Sequence, residues 1–138
     1  MKCSISILLT LGTLFLYAQQ VSTIAGVLET PGFNDGAALS ARFFNPHGIA
    51  LDEDGNTYIA DRYNHTIRRL SVDGQVTTLA GKAGFSGTED GLGEAARFNE
   101  PWGICVAADE TVYVADTKNN KIRQILSLIH ISEPTRPY

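Results

Sequence analysis

The chain has 138 residues, 11 Lys+Arg against 15 Asp+Glu and a formal net charge of −4. That mild acidity argues against nucleic acid or an anionic membrane surface as partner, because both select basic faces. Of the two cysteines, Cys3 lies within the first 18 residues and Cys105 is then alone, so no intrachain disulfide is expected.

Lys2 precedes an apolar run from Ile5 to Tyr17, which ends at Ala18 before polar Gln19-Gln20. A basic start, a short apolar core and a small residue at the break describe a secretory signal peptide over 1–18, cleaved after Ala18. An uncleaved anchor is the alternative, but spanning a bilayer takes about 20 apolar residues. No later stretch is apolar enough to cross a membrane, so the mature chain is expected to be exported and free of the membrane.

Val21–Gly26 then reads as a strand, and it is the first of several strand-like runs separated by turn residues. Gly48–Asp52 is followed by a turn at Asp54-Gly55-Asn56, where Gly and Asn tolerate the positive φ of a tight hairpin. Thr57–Asp61 leads into the polar loop Arg62–His65, and Thr66–Leu70 leads to a turn at Asp73-Gly74. Gln75–Ala80, closed by Gly81, completes four antiparallel runs. The next 20 residues or so carry little strand character, yet loops that long are uncommon unless ordered for a purpose. Gly103–Val106, Thr111–Asp116 and Lys121–Ile125 then repeat the plan.

The repetition has a fixed offset of 55 residues and no gap, with 20 identities in 50 positions between 21–70 and 76–125. Val21–Gly26 returns as Val76–Gly81, Asp35-Gly36 as Asp90-Gly91, and Ala41-Arg42-Phe43 as Ala96-Arg97-Phe98. Pro46-His47-Gly48-Ile49 returns as Pro101-Trp102-Gly103-Ile104, and Tyr58–Asp61 as Tyr113–Asp116. One supersecondary unit used twice must bury its apolar face on the next. The long segment keeps register in both copies, so it reads as an ordered crossover between units, anchored by Phe43 and Phe98. A four-stranded meander repeating at this period predicts an all-β fold of propeller blades.

These marks together resemble the NHL repeat: Asp-Gly, Ala-Arg-Phe, Pro-x-Gly-Ile, a strand ending Tyr-(Ile/Val)-Ala-Asp, and Asn-x-x-Ile-Arg. The resemblance covers 21–125 and implies a β-propeller, commonly six-bladed, that binds protein, ligand or RNA. A minority of related propellers are enzymes, such as amidating lyases and gluconolactonase-like hydrolases. On this reading 19–125 is a propeller segment. Within it, 21–26 is the outer strand of a preceding blade, about 47–80 the first blade and about 102–125 a partial second blade. Propellers close with about four to eight blades, so these units form an incomplete ring, a fragment whose missing blades are expected from the rest of a larger parent chain. Residues 126–138 match nothing in the repeat and are set aside as a non-repeat tail.

The residues that could carry chemistry divide by whether the two copies share them. Asp61, Asn64 and Arg68 recur as Asp116, Asn119 and Arg123, which marks them as structural positions. A ring needs one active site, but every blade needs its turn. Asp and Asn there are expected to bond loop amides, and the arginines, alternating with Ile67 and Ile122, to meet a carboxylate or solvent. Asp52–Asn56 only superficially resembles a calcium loop, because Tyr63 stands where the closing Glu would be. Asn64-His65-Thr66 satisfies a glycosylation sequon.

His47 and Trp102 differ between the copies and sit where the innermost strands begin, so they are the candidate ligand-binding residues. One histidine is no zinc site, since zinc needs three or four ligands. No nucleophile–base pair, phosphate loop or CxxC pair is evident, so no catalytic residue, metal ligand or cofactor is assigned. The expected function is a binding scaffold for a protein, glycan or small ligand, with no nucleic acid. The alternative is part of a propeller hydrolase or lyase with an axial metal.

Overall fold

The structure is a computed structural model that describes residues 19–127. The expected signal segment 1–18 and most of the tail, 128–138, lie outside the described residues.

Eight strands occur among the described residues, in two antiparallel sheets. β1 (Gly36–Ala37), β2 (Pro46–Leu51), β3 (Thr57–Asp61), β4 (Thr66–Leu70) and β5 (Gln75–Gly81) form the first, in the order β1-β5-β4-β3-β2. β6 (Pro101–Val106), β7 (Val112–Asp116) and β8 (Lys121–Ile125) form the second, in sequence order. The β2–β3 turn is tied by Asp52, whose carboxylate accepts the Asn56 N–H and side-chain amide, each at 2.8 Å. Gly55 and Gly74 supply the positive φ of +87° and +82° that the β2–β3 and β4–β5 turns require. In both sheets a short 3-10 turn precedes the third strand of the meander and ends on a left-handed residue, His65 or Asn120.

The sheets stack face to face, as blades do. Tyr58, Ala60, Ile67 and Ala80 on the first meet Ala96, Phe98, Val112 and Val114 from the second to form one buried core. Phe98 is 1% exposed, and burying a side chain of that size contributes roughly 1.5–3 kcal/mol. The close approach depends on missing Cβ atoms. A Cβ on Gly48 would collide with the Trp102 carbonyl of β6, and one on Gly81 would crowd the Phe98 ring at 3.1 Å as well as the His65 carbonyl of its own blade. A second cluster, Ala41, Ile59, Leu70 and Val76, lies on the other face of the first blade, with Phe43 packed half-buried against it.

The crossovers are ordered, and each folds over the blade it leads into. The segment before β2 also contributes β1, which pairs Gly36 with Val76 and Ala37 with Gln75 at the outer edge of β5. That strand has no counterpart in the sequence reading, because two residues leave no periodicity. Residues 21–26 behave differently from their repeat mates. They form no strand, with Val21 97% and Ile24 60% exposed, whereas Val76–Gly81 is paired along β4. The physical reason is simple: a strand needs a partner, and no inner strands precede this segment among the described residues.

Candidate ligand-binding edge

Two kinds of constellation result, one repeated and internal, the other unrepeated and exposed. The internal one is built around arginine. Arg68 lies wholly buried on β4, with Nη1 2.9 Å from Asp61 Oδ2 and Nη2 2.6 Å from Asp35 Oδ1. It also donates to the carbonyls of Arg42 and Asn34 and stacks 5.0 Å from the Phe43 ring. Asp61 Oδ1 accepts the Phe44 N–H, and Asn64 bridges Asp61 Oδ2 to the Gly32 carbonyl. Arg123, Asp116, Asn119, Asp90 and Phe98 repeat this network in the second blade.

A fully bonded buried arginine fastens the crossover to its blade, since each donor would otherwise be stranded without water. Burial pushes the Asp61 carboxyl above its ordinary value, against the pull of Asn64, the Phe44 N–H and Arg68. Asn64 is 4% exposed with its amide doubly engaged, so the sequon nitrogen is not available to a glycan in the folded chain.

The exposed constellation lies where the inner strands begin. β2 and β6 each carry a bulge at the same place, between Pro46 and Ile49 and between Pro101 and Ile104. The extra residue turns the local side chain out of the ladder, and it falls at the stretch holding His47 and Trp102. Their rings meet across the blade boundary at 3.7 Å between centroids, tilted by 42°. Arg62, from the first blade's 3-10 turn, lies 4.5 Å from the Trp102 ring and 4.8 Å from the Tyr63 ring. Its Nη2 is 2.6 Å from Glu100 Oε2. Tyr63 in turn meets Phe44 edge-on at 5.2 Å.

Trp102, Tyr63 and Phe44 remain about 40% exposed, so the edge presents aromatic planes held by a fixed ion pair. Hydrogen bonds from Arg62 hold the Glu100 carboxyl below its ordinary value. The Glu100 N–H donates to His65 Nδ1 at 3.2 Å, a second tie between the blades.

The sequence reading singled out His47 and Trp102 but passed over Arg62, Glu100, Tyr63 and Phe44. The signal was present: positions 62 and 100 also differ between copies, pairing with Thr117 and Asn45. Among the described residues no three His, Cys, Asp or Glu side chains converge as a metal site. No helix of the described residues is long and apolar enough to cross a membrane.

Comparison with known proteins agrees with this architecture. The NHL repeat model matches residues 43–70 and 98–125. The chain is 39% identical over 95 residues to Protein SUPPRESSOR OF QUENCHING 1, chloroplastic, of Arabidopsis thaliana, which covers 68% of this chain and 9% of that protein. Among solved structures, it resembles a structural genomics protein of unknown function from Bacteroides thetaiotaomicron with a TM-score of 0.68 and 34% identity. That match covers 72% of this chain and 26% of the other. An auxiliary nutrient binding protein from the same organism matches with a TM-score of 0.66 and 31% identity, over 73% of this chain and 27% of that one. The chain thus spans about a quarter of these solved relatives and a smaller share of the plant protein. With two repeats matched, a blade-like all-β fold and the same fold in these relatives, the chain belongs to the NHL-repeat β-propeller family.

Proposed function

We propose that the chain supplies two blades of an exported propeller that binds its ligand at the edge formed by His47, Trp102, Arg62 and Glu100. One observation carries this reading: the cluster is assembled across a blade boundary from positions where the two repeats differ. A regular scaffold with irregular loop residues is how repeat folds build recognition. Aromatic planes beside a fixed Arg–Glu pair suit a small polar ligand such as a sugar ring or other nutrient. The likeness to an auxiliary nutrient binding protein supports that ligand class. Export follows from the Lys2–Ala18 pattern and is checked by a mature N-terminus at Gln19.

Trp102 is the chain's single tryptophan, so its emission reports on the site directly. Titration with malto-, xylo- and manno-oligosaccharides should give a saturable change with at least one series, lost in His47→Ala and Arg62→Ala. A response that both variants retain places binding elsewhere, and no response to any series removes the sugar reading. Stoichiometric divalent metal that leaves the protein with His47→Ala would replace this reading with the hydrolase or lyase one.

A further inference from the structure

The two arginines of the first blade spend their donors differently. Arg68 uses Nε, Nη1 and Nη2 on Asp35, Asp61 and the Arg42 and Asn34 carbonyls. Arg62 donates only to Glu100, from Nε at 3.1 Å and from Nη2 at 2.6 Å, and both bonds end on the one oxygen Oε2. Among the described residues no group bonds Arg62 Nη1 or Glu100 Oε1. A guanidinium has five N–H donors and a carboxylate about four acceptor sites, so this pair holds both kinds of group in reserve. Its side chains are 19% and 23% exposed, which leaves them within reach of a ligand.

The unused atoms are held in place. The guanidinium lies 4.8 Å from the Tyr63 ring and 4.5 Å from the Trp102 ring. Behind it the Arg62 carbonyl accepts the His65 N–H at 3.2 Å, and the Tyr63 N–H donates to the Phe44 carbonyl at 3.0 Å. Glu100 is fixed by its N–H to His65 Nδ1 and by a left-handed backbone, φ +49°. Its equivalent Asn45 has φ +56°, and asparagine is among the few residues that enter this region readily. Glutamate there adds strain that the first copy avoids, and such strain collects at ligand sites.

Resting on the reading of this edge as the ligand site, we propose that the ligand is a neutral pyranose held by two adjacent hydroxyls. One hydroxyl accepts from Arg62 Nη1 and its neighbour donates to Glu100 Oε1. A hydroxyl both donates and accepts, so a neighbouring pair satisfies the two atoms together. Bonds to charged partners are the stronger kind. The C–H face of the ring packs on Trp102, which is 40% exposed beside them. An acidic sugar suits the site less well, because Arg62 is already neutralised and a second carboxylate would stand beside Glu100.

The test uses the whole chain expressed for export, read by the emission of its single tryptophan. The probes are the methyl pyranosides of glucose, mannose and galactose, each beside its monodeoxy forms. At least one parent glycoside should bind saturably. Removing either of one adjacent pair of hydroxyls should weaken it at least about tenfold, because the site's own groups are then unpaired. Glu100→Asn copies Asn45 and should keep the far-ultraviolet circular dichroism of the native chain. It should bind the parent and the deoxy form alike, since the lost carboxylate and the lost hydroxyl belong to one interaction. Arg62→Lys, which keeps the charge and removes Nη1, should erase the preference for the neighbouring hydroxyl in the same way.

Binding that is lost in His47→Ala yet ignores every hydroxyl removal overturns the paired-hydroxyl contact and leaves the edge as the site. A preference for the parent glycoside that survives Glu100→Asn overturns it as well, as does tighter binding of methyl glucuronide than of methyl glucoside. Binding that His47→Ala retains, or no binding of any glycoside, overturns the proposal together with the sugar site it rests on.

Discussion

Arg68 and Asp61 face each other at 2.9 Å with neither side chain exposed, and Arg123 and Asp116 repeat the contact at 3.0 Å one blade later. The repetition is structural in meaning: each arginine gathers a crossover, a turn and a strand into one blade.

Removing one partner of the first pair should therefore cost far more than a surface ion pair would. Asp61→Ala strands the Phe44 N–H and the buried Asn64 amide and leaves Arg68 with Asp35 alone as its carboxylate, and a loss of roughly 3–5 kcal/mol is expected in urea unfolding. Arg68→Met added to Asp61→Ala should recover little of that loss, because Asp35 still pairs with the guanidinium in the single variant and the Arg42 and Asn34 carbonyls lose their donor in the double one. Asp116→Ala should cost less, since Arg123 is 10% exposed and can turn toward water.

Acid should loosen the contact between blades through Glu100. Its carboxyl is held below the ordinary value of 4.5 by Arg62, so its contribution is complete above about that pH and is lost as pH falls through the lowered value. Asp61, raised by burial, acts in the opposite direction, because folding favours its protonated form. Unfolding midpoints of the native chain and Glu100→Gln, compared from about pH 6 to pH 3, should converge at the acid end. Parallel curves would show that Glu100 does not couple the blades.

Two glycines with the same sequence context should respond oppositely to alanine. Gly48→Ala must push β6 away from β2, because the added methyl meets backbone and not a movable side chain. A cost of roughly 1–3 kcal/mol and a red shift of Trp102 emission are expected as the His47–Trp102 contact opens. Gly103→Ala meets only the Ala115 methyl at 3.6 Å and should leave the two-blade unit unchanged. Calorimetry and fluorescence on both variants check the contrast.

The strands were legible because their alternation and turn glycines recur at a constant offset, so each copy vouches for the other. The candidate edge was legible only at His47 and Trp102. Arg62 and Glu100 are 38 residues apart, and nothing local shows that a 3-10 turn in one blade reaches the crossover of the next. The burial of Arg68 was hidden for a related reason. Strand alternation places it opposite Ile67, but a bulge between those residues and the crossover folded above them enclose both. Residues 21–26 present the reverse case. Their sequence is that of a strand, yet pairing depends on a neighbour that lies outside the segment.

The paired bulges at Pro46–Ile49 and Pro101–Ile104 separate two selective pressures. Because positions 47 and 102 lie off the regular hydrogen-bond register, exchanging their side chains asks nothing of the flanking pairs that hold each sheet together. Descendants of such a gene can thus alter the rim alone, while the wedge beneath is inherited intact.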